Sequence, residues 1–392
     1  NLNIGTDENF GYYKSGPKIG SFSAYSDSYA KGVGRYTDSK WNNYNRVLEA
    51  YANYNHDFNG HAVDFMAGYS WQHVYSNSES ASRFNDVYES YLKDDVYGNI
   101  TYNATEHYLI SFFGRANYSY KGKYLFTFTL RDDASSRFSP ETRWGLFPSA
   151  AFAWNIAEES FIKGSETLSS LKLRLGWGVT GQQEIGKDYP YLARYTMSTS
   201  ISHLYNMGIG GLSYYLEPQA YDPNIKWEST ATYNIGLDYG IFDQRITGSL
   251  DAYLRDTYDL LNEVSVAMGS NFSNTLLTNV GNIRNKGIEA SVNVIPLSNT
   301  DWHMEVGLNG TWQDIKFTKL TSTDDENYFV QVGSISAGTG GYLQQHKVGY
   351  APYTYYCYQQ VYDSNGNPIQ NAVVDRDGNG EITDNDRYLT GK

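Results

Sequence analysis

The chain has 392 residues and a formal net charge of −13, with 38 Tyr, 17 Phe, 8 Trp and 37 Gly against only 9 Pro. The acidic balance excludes a nucleic-acid partner, which demands a basic footprint, and no run of about 18 apolar residues is present to make a transmembrane helix. The single cysteine, Cys357, excludes an internal disulfide and leaves the redox compartment open.

Residues 1–43 are rich in Gly, Ser, Tyr and Asp without a sustained period, and the expectation there is a long loop. Arg46 to Phe58 then puts Leu48, Ala50, Ala52 and Tyr54 on one face and Glu49, Asn53 and Asn55 on the other. That period of two is the mark of a strand. Asn59-Gly60 is a two-residue hairpin signal, and Val63, Phe65, Ala67, Tyr69 and Trp71 keep the parity on the return, giving a hairpin over 44–75. The next hairpin, 108–131, has an uncharged face of Tyr108, Ile110, Phe112, Tyr118, Tyr120, Tyr124, Phe126, Phe128 and Leu130. Its other face carries Ser111, Arg115, Asn117, Thr127, Thr129 and Arg131, and Lys121-Gly122-Lys123 suits a three-residue turn with glycine in the left-handed region.

The pattern recurs over 144–180 (Leu146, Ala150, Phe152, Trp154 with Leu171, Leu173, Leu175, Trp177, Val179) and over 226–256. In the latter, Trp227, Ala231, Tyr233, Ile235, Leu237, Tyr239 and Ile241 pair with Ile246, Gly248, Leu250, Ala252 and Leu254. The fifth hairpin, 286–316, pairs Ile288, Ala290, Val292 and Val294 with Trp302, Met304, Val306, Leu308 and Trp312. No apolar face contains a charge, whereas the opposite faces carry Glu49, Asp64, Arg115, Arg131, Lys172, Arg174, Glu228, Asp238, Asp251, Arg255, Glu289 and Glu305. Arg or Lys at mid-bilayer costs roughly 2 to 4 kcal/mol, so these are the two faces of a wall between lipid and water. Turns within hairpins are short and links between them long (76–107, 132–143, 180–225, 256–285, 317 onward), the asymmetry of an outer-membrane barrel. The reading is an all-β transmembrane antiparallel barrel segment spanning 1–392, with about ten to twelve strands.

The segments RDDASSRFSPETRWGLFPSAAFAWNI (131–156), LKLRLGWGVTGQQEIG (171–186), NIKWESTATYNIGLDYGIFDQRITGSLDAYLRDTYDLL (224–261) and NVGNIRNKGIEASVNV (279–294) closely resemble the SusC/RagA family of TonB-dependent outer-membrane transporters. The resemblance implies a barrel of about 22 strands around a plug, with plug and TonB box preceding the present sequence. It also implies a SusD-like lipoprotein lid and energy from the TonB-ExbB-ExbD complex. The expected function is import of a nutrient oligomer, a glycan first. The alternatives are an oligopeptide importer of the same family, a passive porin or surface-binding barrel, and a soluble glycan-binding β protein.

Arg131, Asp132, Asp133 and Arg137 cluster at the outer end of a strand, where they would hold a loop base or touch substrate or plug. Trp144, Trp154, Trp177, Trp227, Trp302 and Trp312 suit an interfacial girdle, with stacking on sugars the other use. Asp375 to Asp386, DRDGNGEITDND, has oxygen ligands at loop positions 1, 3 and 5, glycine at 6 and a carboxylate at 12, the spacing of a calcium loop. Asp375, Asp377 and Asn379 would bind by side chain, Glu381 by its carbonyl, Thr383 directly or through water, and Asp386 in place of glutamate. The ion would be structural and extracellular, bracing the segment after Thr318. No HExxH, GxSxG or P-loop pattern occurs, and GIGG at 208–211 lacks the context of a dinucleotide site. His56 and His61 flank a turn and could share a metal, and Asp132-Asp133 and Asp324-Asp325-Glu326 sit in expected loops. No catalytic site is expected.

Overall fold

The computed structural model describes residues 1–18, 21–23, 35–84, 100–197, 205–206, 212–213, 216–267, 269, 271, 273, 275–321, 325, 327–334 and 341–391. Among them eleven long strands form one antiparallel sheet. These are β1 (Leu2–Ser15), β2 (Arg35–Phe58), β3 (His61–Phe84), β4 (Ile100–Tyr120), β5 (Tyr124–Ser135), β6 (Trp144–Asn155), β7 (Leu168–Gln182), β8 (Glu228–Ile241), β9 (Ile246–Tyr258), β10 (Asn282–Ser298) and β11 (His303–Lys319). Each pairs only with its neighbours in the series, the meander from which up-and-down barrel walls are made. Among the described residues β1 and β11 are the two edges.

The register follows the apolar alternation. Leu48 faces Trp71 and Tyr54 faces Phe65, Tyr118 faces Phe126, Leu237 faces Leu250, and Ile288 faces Trp312. A slip of one residue in any pair would turn its apolar set to the other side. The turns hold that register. Asn59 and Gly60 both have positive φ, 52° and 81°, as a type I′ turn requires, and Lys121 and Gly122 do likewise, with Lys123 N donating to Tyr120 O at 2.9 Å.

Two expectations need correction. Residues 1–43 are not a loop throughout: Leu2–Ser15 is β1, paired with β2 from Leu2 opposite Ala50 to Ser15 opposite Thr37, and β2 itself starts at Arg35. The long link expected over 76–107 is shorter too, because β3 runs to Phe84 and β4 starts at Ile100. A strand of about 9 to 11 residues crosses the bilayer, whereas β2 and β3 have 24 each. The apolar alternation stops part-way along both, while the ladder between them continues to Arg35 opposite Phe84.

Strand ends split into two kinds. The short turns lie at one end, with a single 3₁₀ turn at Ile156–Glu158 in the longest of them. The long links lie at the other, and several are folded. Leu261–Ser265 pairs with Thr275–Asn279. Phe138, Phe147, Ile225 and Trp227 form a small buried core with Leu109, Ile185, Tyr191 and Leu277 packed on it. Trp227, expected on the lipid face, is only 7% exposed, and its indole N–H donates to the Arg143 carbonyl at 2.7 Å. It precedes β8 by one residue, so strand parity no longer governs it. After β11, the short strands Phe329–Ser334, Tyr342–Lys347, Thr354–Tyr358 and Arg387–Leu389 make a separate four-stranded sheet, and Gln360–Tyr362 pairs with Pro368–Val373. This segment is tied back to the top of β11, where Phe317 N donates to Tyr350 O and Gly349 N to Phe317 O.

Candidate functional site

The polar face of the wall is a hydrogen-bonded surface. Asn117 donates to Asp64 at 2.9 Å and Thr127 to Asn117 at 2.9 Å, joining β3, β4 and β5. Arg174 on β7 grips both carboxylate oxygens of Asp238 on β8 at 2.8 Å and also reaches Asp251 on β9 at 2.9 Å. Gly236 stands in the register between Arg174 and Asp251, and a Cβ there would run into both side chains. Farther round, Ser249 and Ser291 share a hydrogen bond of 2.9 Å and Asn293 donates to Glu305 at 3.0 Å. The charges on this face were visible in the sequence, their convergence on Arg174 was not; the signal was a glycine on the polar face between residues of opposite charge.

The expected cluster of Arg131, Asp132, Asp133 and Arg137 divides in two. Arg131 binds Asp133 at 2.7 Å and Ser111 at 2.8 Å. Arg137, almost wholly buried, instead binds Asp188 at 3.1 Å, Glu184 at 2.7 Å and the Gln183 carbonyl at 3.1 Å, pinning the link after β7 to the link after β5. The Arg137 hydrogen bond is the main cause that holds the Glu184 carboxyl below its ordinary range. Asp132 lies on the outward parity, opposite Phe112 and Leu146. Asp188 and His107, which completes this cluster at 3.3 Å from Asp188, had no motif to announce them, and Glu184 stood within the segment 171–186 with no role assigned to it.

Trp144, Trp154, Trp177 and Trp312 keep the outward parity, and Trp154 donates to Glu159 at 3.2 Å in the turn after β6; Trp302 stands in the turn before β11, its backbone N–H donating to the Asn299 side-chain oxygen at 2.8 Å. His61 is bound to the Tyr118 hydroxyl at 2.8 Å, and Phe58 stacks between it and His56. Residues 208–211, and Asp324 and Glu326 of the acidic run, lie outside the described residues.

The acidic loop brings together three of its six expected ligands. Oxygens of Asp375, Asp377 and Asp386 lie within 4.8 Å of one another. Asp375 accepts the N–H groups of Gly378 and Gly380, 2.7 Å each, and Asp386, fully buried, accepts those of Arg376 and Thr383, also 2.7 Å. The Thr383 N–H leads the bonds that hold the Asp386 carboxyl below its ordinary range. The Asn379 side-chain amide donates to Asp377 at 3.0 Å, and its Oδ1 accepts the Glu381 N–H at 2.7 Å. Thr383 caps the 3₁₀ turn Asp384–Asp386. The two arginines nearby turn elsewhere, Arg376 to Gln359 and the Tyr388 ring, Arg387 to Asp384. Among the described residues no Lys or Arg pairs with the three carboxylates, so a hard cation would find oxygen ligands and uncompensated charge. Strands rather than helices flank the loop.

The chain matches the family described as "TonB dependent receptor-like, beta-barrel" over residues 1–389. It is 43% identical over 384 residues to the TonB-dependent receptor SusC of Bacteroides thetaiotaomicron, covering 97% of this chain and 38% of that protein. It is 32% identical over 408 residues to the TonB-dependent receptor P3 of Formosa agariphila, covering 97% of this chain and 39% of that one. The fold superposes on a chain of the RagAB peptide transporter with a TM-score of 0.80 at 21% identity, covering 100% of this chain and 42% of that one. The chain thus spans about two fifths of the length of the proteins it matches.

Proposed function

Because the chain belongs to the TonB-dependent receptor-like β-barrel family, we propose that its outer-membrane wall lines the path of an actively imported nutrient oligomer, an oligosaccharide in the first instance. The observation that carries this is the two-sided wall: an uncharged aromatic and aliphatic face toward lipid, and a continuous ladder of hydroxyls, amides and charges toward the lumen. Arg174 is paired with Asp238 and Asp251, and Arg131 with Asp133. Beside these pairs and the further charges of this face, among them Arg115, Lys172, Arg255 and Glu289, the hydroxyls and amides of Ser119, Thr127, Ser149, Thr232, Asn234, Ser249 and Ser291 offer donors and acceptors that suit a hydroxyl-rich solute. The likeness to the RagAB peptide transporter extends to fold, and an oligopeptide is the second reading.

In the same proposal a SusD-like lipoprotein closes the long-link end and the TonB-ExbB-ExbD complex supplies energy. The family is one of receptors rather than enzymes, and the reading requires no catalysis. The test is to purify the full-length protein from outer membranes in mild detergent and identify what accompanies it. Uptake of that ligand is then followed in cells with and without TonB. A co-purifying lipoprotein, a bound hexose oligomer and TonB-dependent uptake are expected; bound peptide would shift the substrate class, and uptake indifferent to TonB would favour a passive barrel.

The loop 375–386 belongs to the proposal as a structural calcium site. Asp375, Asp377, Asn379 and Asp386 would hold the ion, with the Glu381 carbonyl and Thr383 completing the shell. Its role is to brace the folded segment after β11.

A further inference from the structure

On β9, β10 and β11 the outward face changes from apolar to charged within two successive outward positions. Leu254 is followed outward by Asp256, Ile288 by Lys286 and Arg284, and Trp312 by Asp314 and Lys316. The register places Lys286 between Leu254 and Asp314, and Arg284 between Asp256 and Lys316. Since the long links emerge at this end, the change marks the outer boundary of the hydrocarbon, where lipid phosphates lie. The charges there are arranged in depth. Arg284 grips Asp256 at 2.6 and 3.0 Å, and Lys286 and Lys316 share Asp314 at 3.9 and 3.2 Å. The carboxylate side chains are 11% and 27% exposed, whereas those of Arg284, Lys286 and Lys316 are 54%, 55% and 51% exposed. The anions are tucked against the wall and the cations stand outward, three against two. Trp312 and Tyr258, both well exposed, flank them as amphipathic rings suited to headgroup depth. Among the described residues no other part of the outer wall has cations on adjacent strands just beyond the apolar belt: the corresponding positions are Arg46 beside Glu8 on β2 and β1, His73 on β3, Glu106 on β4 and Asp132 on β5.

We propose that Arg284, Lys286 and Lys316 form a binding site for the phosphate of an anionic lipid headgroup in the outer leaflet. A phosphate offers three acceptor oxygens to donors in this geometry, and basic residues at a membrane surface attract anionic lipid with about a fivefold gain in affinity each. Trp312 would lie along the sugar or glycerol part of the headgroup, and the belt below would take the acyl chains. The inference rests on the outer-membrane reading but not on transport, so lipid binding and uptake can fail separately.

The test uses the full-length protein in a neutral detergent, with binding of bisphosphorylated lipid A and of its dephosphorylated form compared by native mass spectrometry. The wild type should prefer the phosphorylated lipid. Lys286→Gln with Lys316→Gln should weaken that binding by about tenfold or more, Lys286→Arg with Lys316→Arg should retain it, and Lys121→Gln, in a turn at the opposite end, should leave it unchanged. Equal binding of the two lipids, or binding that survives loss of both lysines in a protein that still migrates as a folded barrel, overturns the proposal.

Discussion

Arg174 on β7 reaches across Gly236 to hydrogen-bond Asp251 on β9, two strands away, while holding Asp238 on the intervening strand with two further bonds. One guanidinium therefore ties three strands on the lumen face, and the missing side chain at Gly236 makes room for it. Arg174→Ala should cost roughly 1.5 to 3 kcal/mol, the range for hydrogen bonds to charged groups. It leaves two carboxylates facing each other without their cation. Reversible urea unfolding of the refolded barrel in lipid vesicles reads the difference, with Arg115→Ala on the same face as reference. If the two variants lose the same small amount, the cluster is not a joint.

The parity of the wall has a direct test in adjacent residues of β5. Phe126 packs on Phe152 in the outward face, with ring centroids 4.8 Å apart, and is 47% exposed; Thr127 faces the lumen and donates to Asn117. Arg at position 126 should reduce assembled barrel in the outer-membrane fraction, at a cost of roughly 2 to 4 kcal/mol if it sits near the midplane. Arg at 127 should be tolerated. Similar yields of heat-modifiable barrel from both would show that the faces had been assigned wrongly.

That alternation is also why so much of the fold was legible. Wherever one face met lipid and the other water, as at Leu48 and Glu49 or Leu237 and Asp238, odd and even positions differed and the register followed. It failed where neither parity is consistently apolar. In β1, Asp7 and Asn9 alternate with Glu8 and Phe10, and the upper part of β2 runs Asp38, Ser39, Lys40, with no apolar parity to show a strand. The loop core joins Phe138 to Trp227 across a long sequence separation, and nothing local in either segment announces the other. The convergence of Asp375, Asp377 and Asp386 could be read because all three lie within one short motif.

The loop core should behave as a unit separate from the wall. Trp227 packs on Phe138 and Phe147, with centroids 5.4 and 5.3 Å away, and a Cβ at Gly145 or Gly181 would collide with the Phe147 ring. Trp227→Ala should cost about 3 to 5 kcal/mol locally and remove one of the two N–H groups that the Arg143 carbonyl accepts, leaving that of Ser135 at 3.1 Å. Limited proteolysis should then cut within 136–143 or 183–227 while the barrel keeps its folded migration. Loss of the folded band itself would mean that the core supports the wall as well.

At the opposite end, Glu159 accepts from Tyr124 at 2.6 Å, from Lys123 at 3.2 Å and from Trp154 at 3.2 Å. The Tyr124 hydroxyl is foremost in holding its carboxyl below the ordinary range. A carboxyl depressed on folding contributes stability that is fully present above the unfolded pKa of about 4.3 and disappears as the pH falls through the folded value. Glu159→Gln should therefore be less stable than wild type at neutral pH, and the gap should close as the pH is lowered through and below that value. A gap that stays constant down to strong acid would assign the loss to shape rather than charge.

The proposed calcium site in the acidic loop calls for a variant that removes one candidate ligand without dismantling the loop. Asp386 is unsuitable, because its carboxylate caps Thr383 and accepts the Arg376 N–H, so its loss would unravel the turn with or without an ion. Asp377 meets the need, since among the described residues its carboxylate bonds only to the Asn379 backbone and side chain, at 3.1 and 3.0 Å. Asp377→Asn should keep the fold of the loop and lower calcium affinity, since a neutral amide replaces one of three carboxylates around a doubly charged ion. Chelation of the full-length protein should speed protease cleavage within 360–391, calcium should restore protection where magnesium does not, and Asp377→Asn should require more calcium for the same protection. Cleavage that is indifferent to chelator in the wild type would leave the loop an acidic turn held by its own backbone bonds.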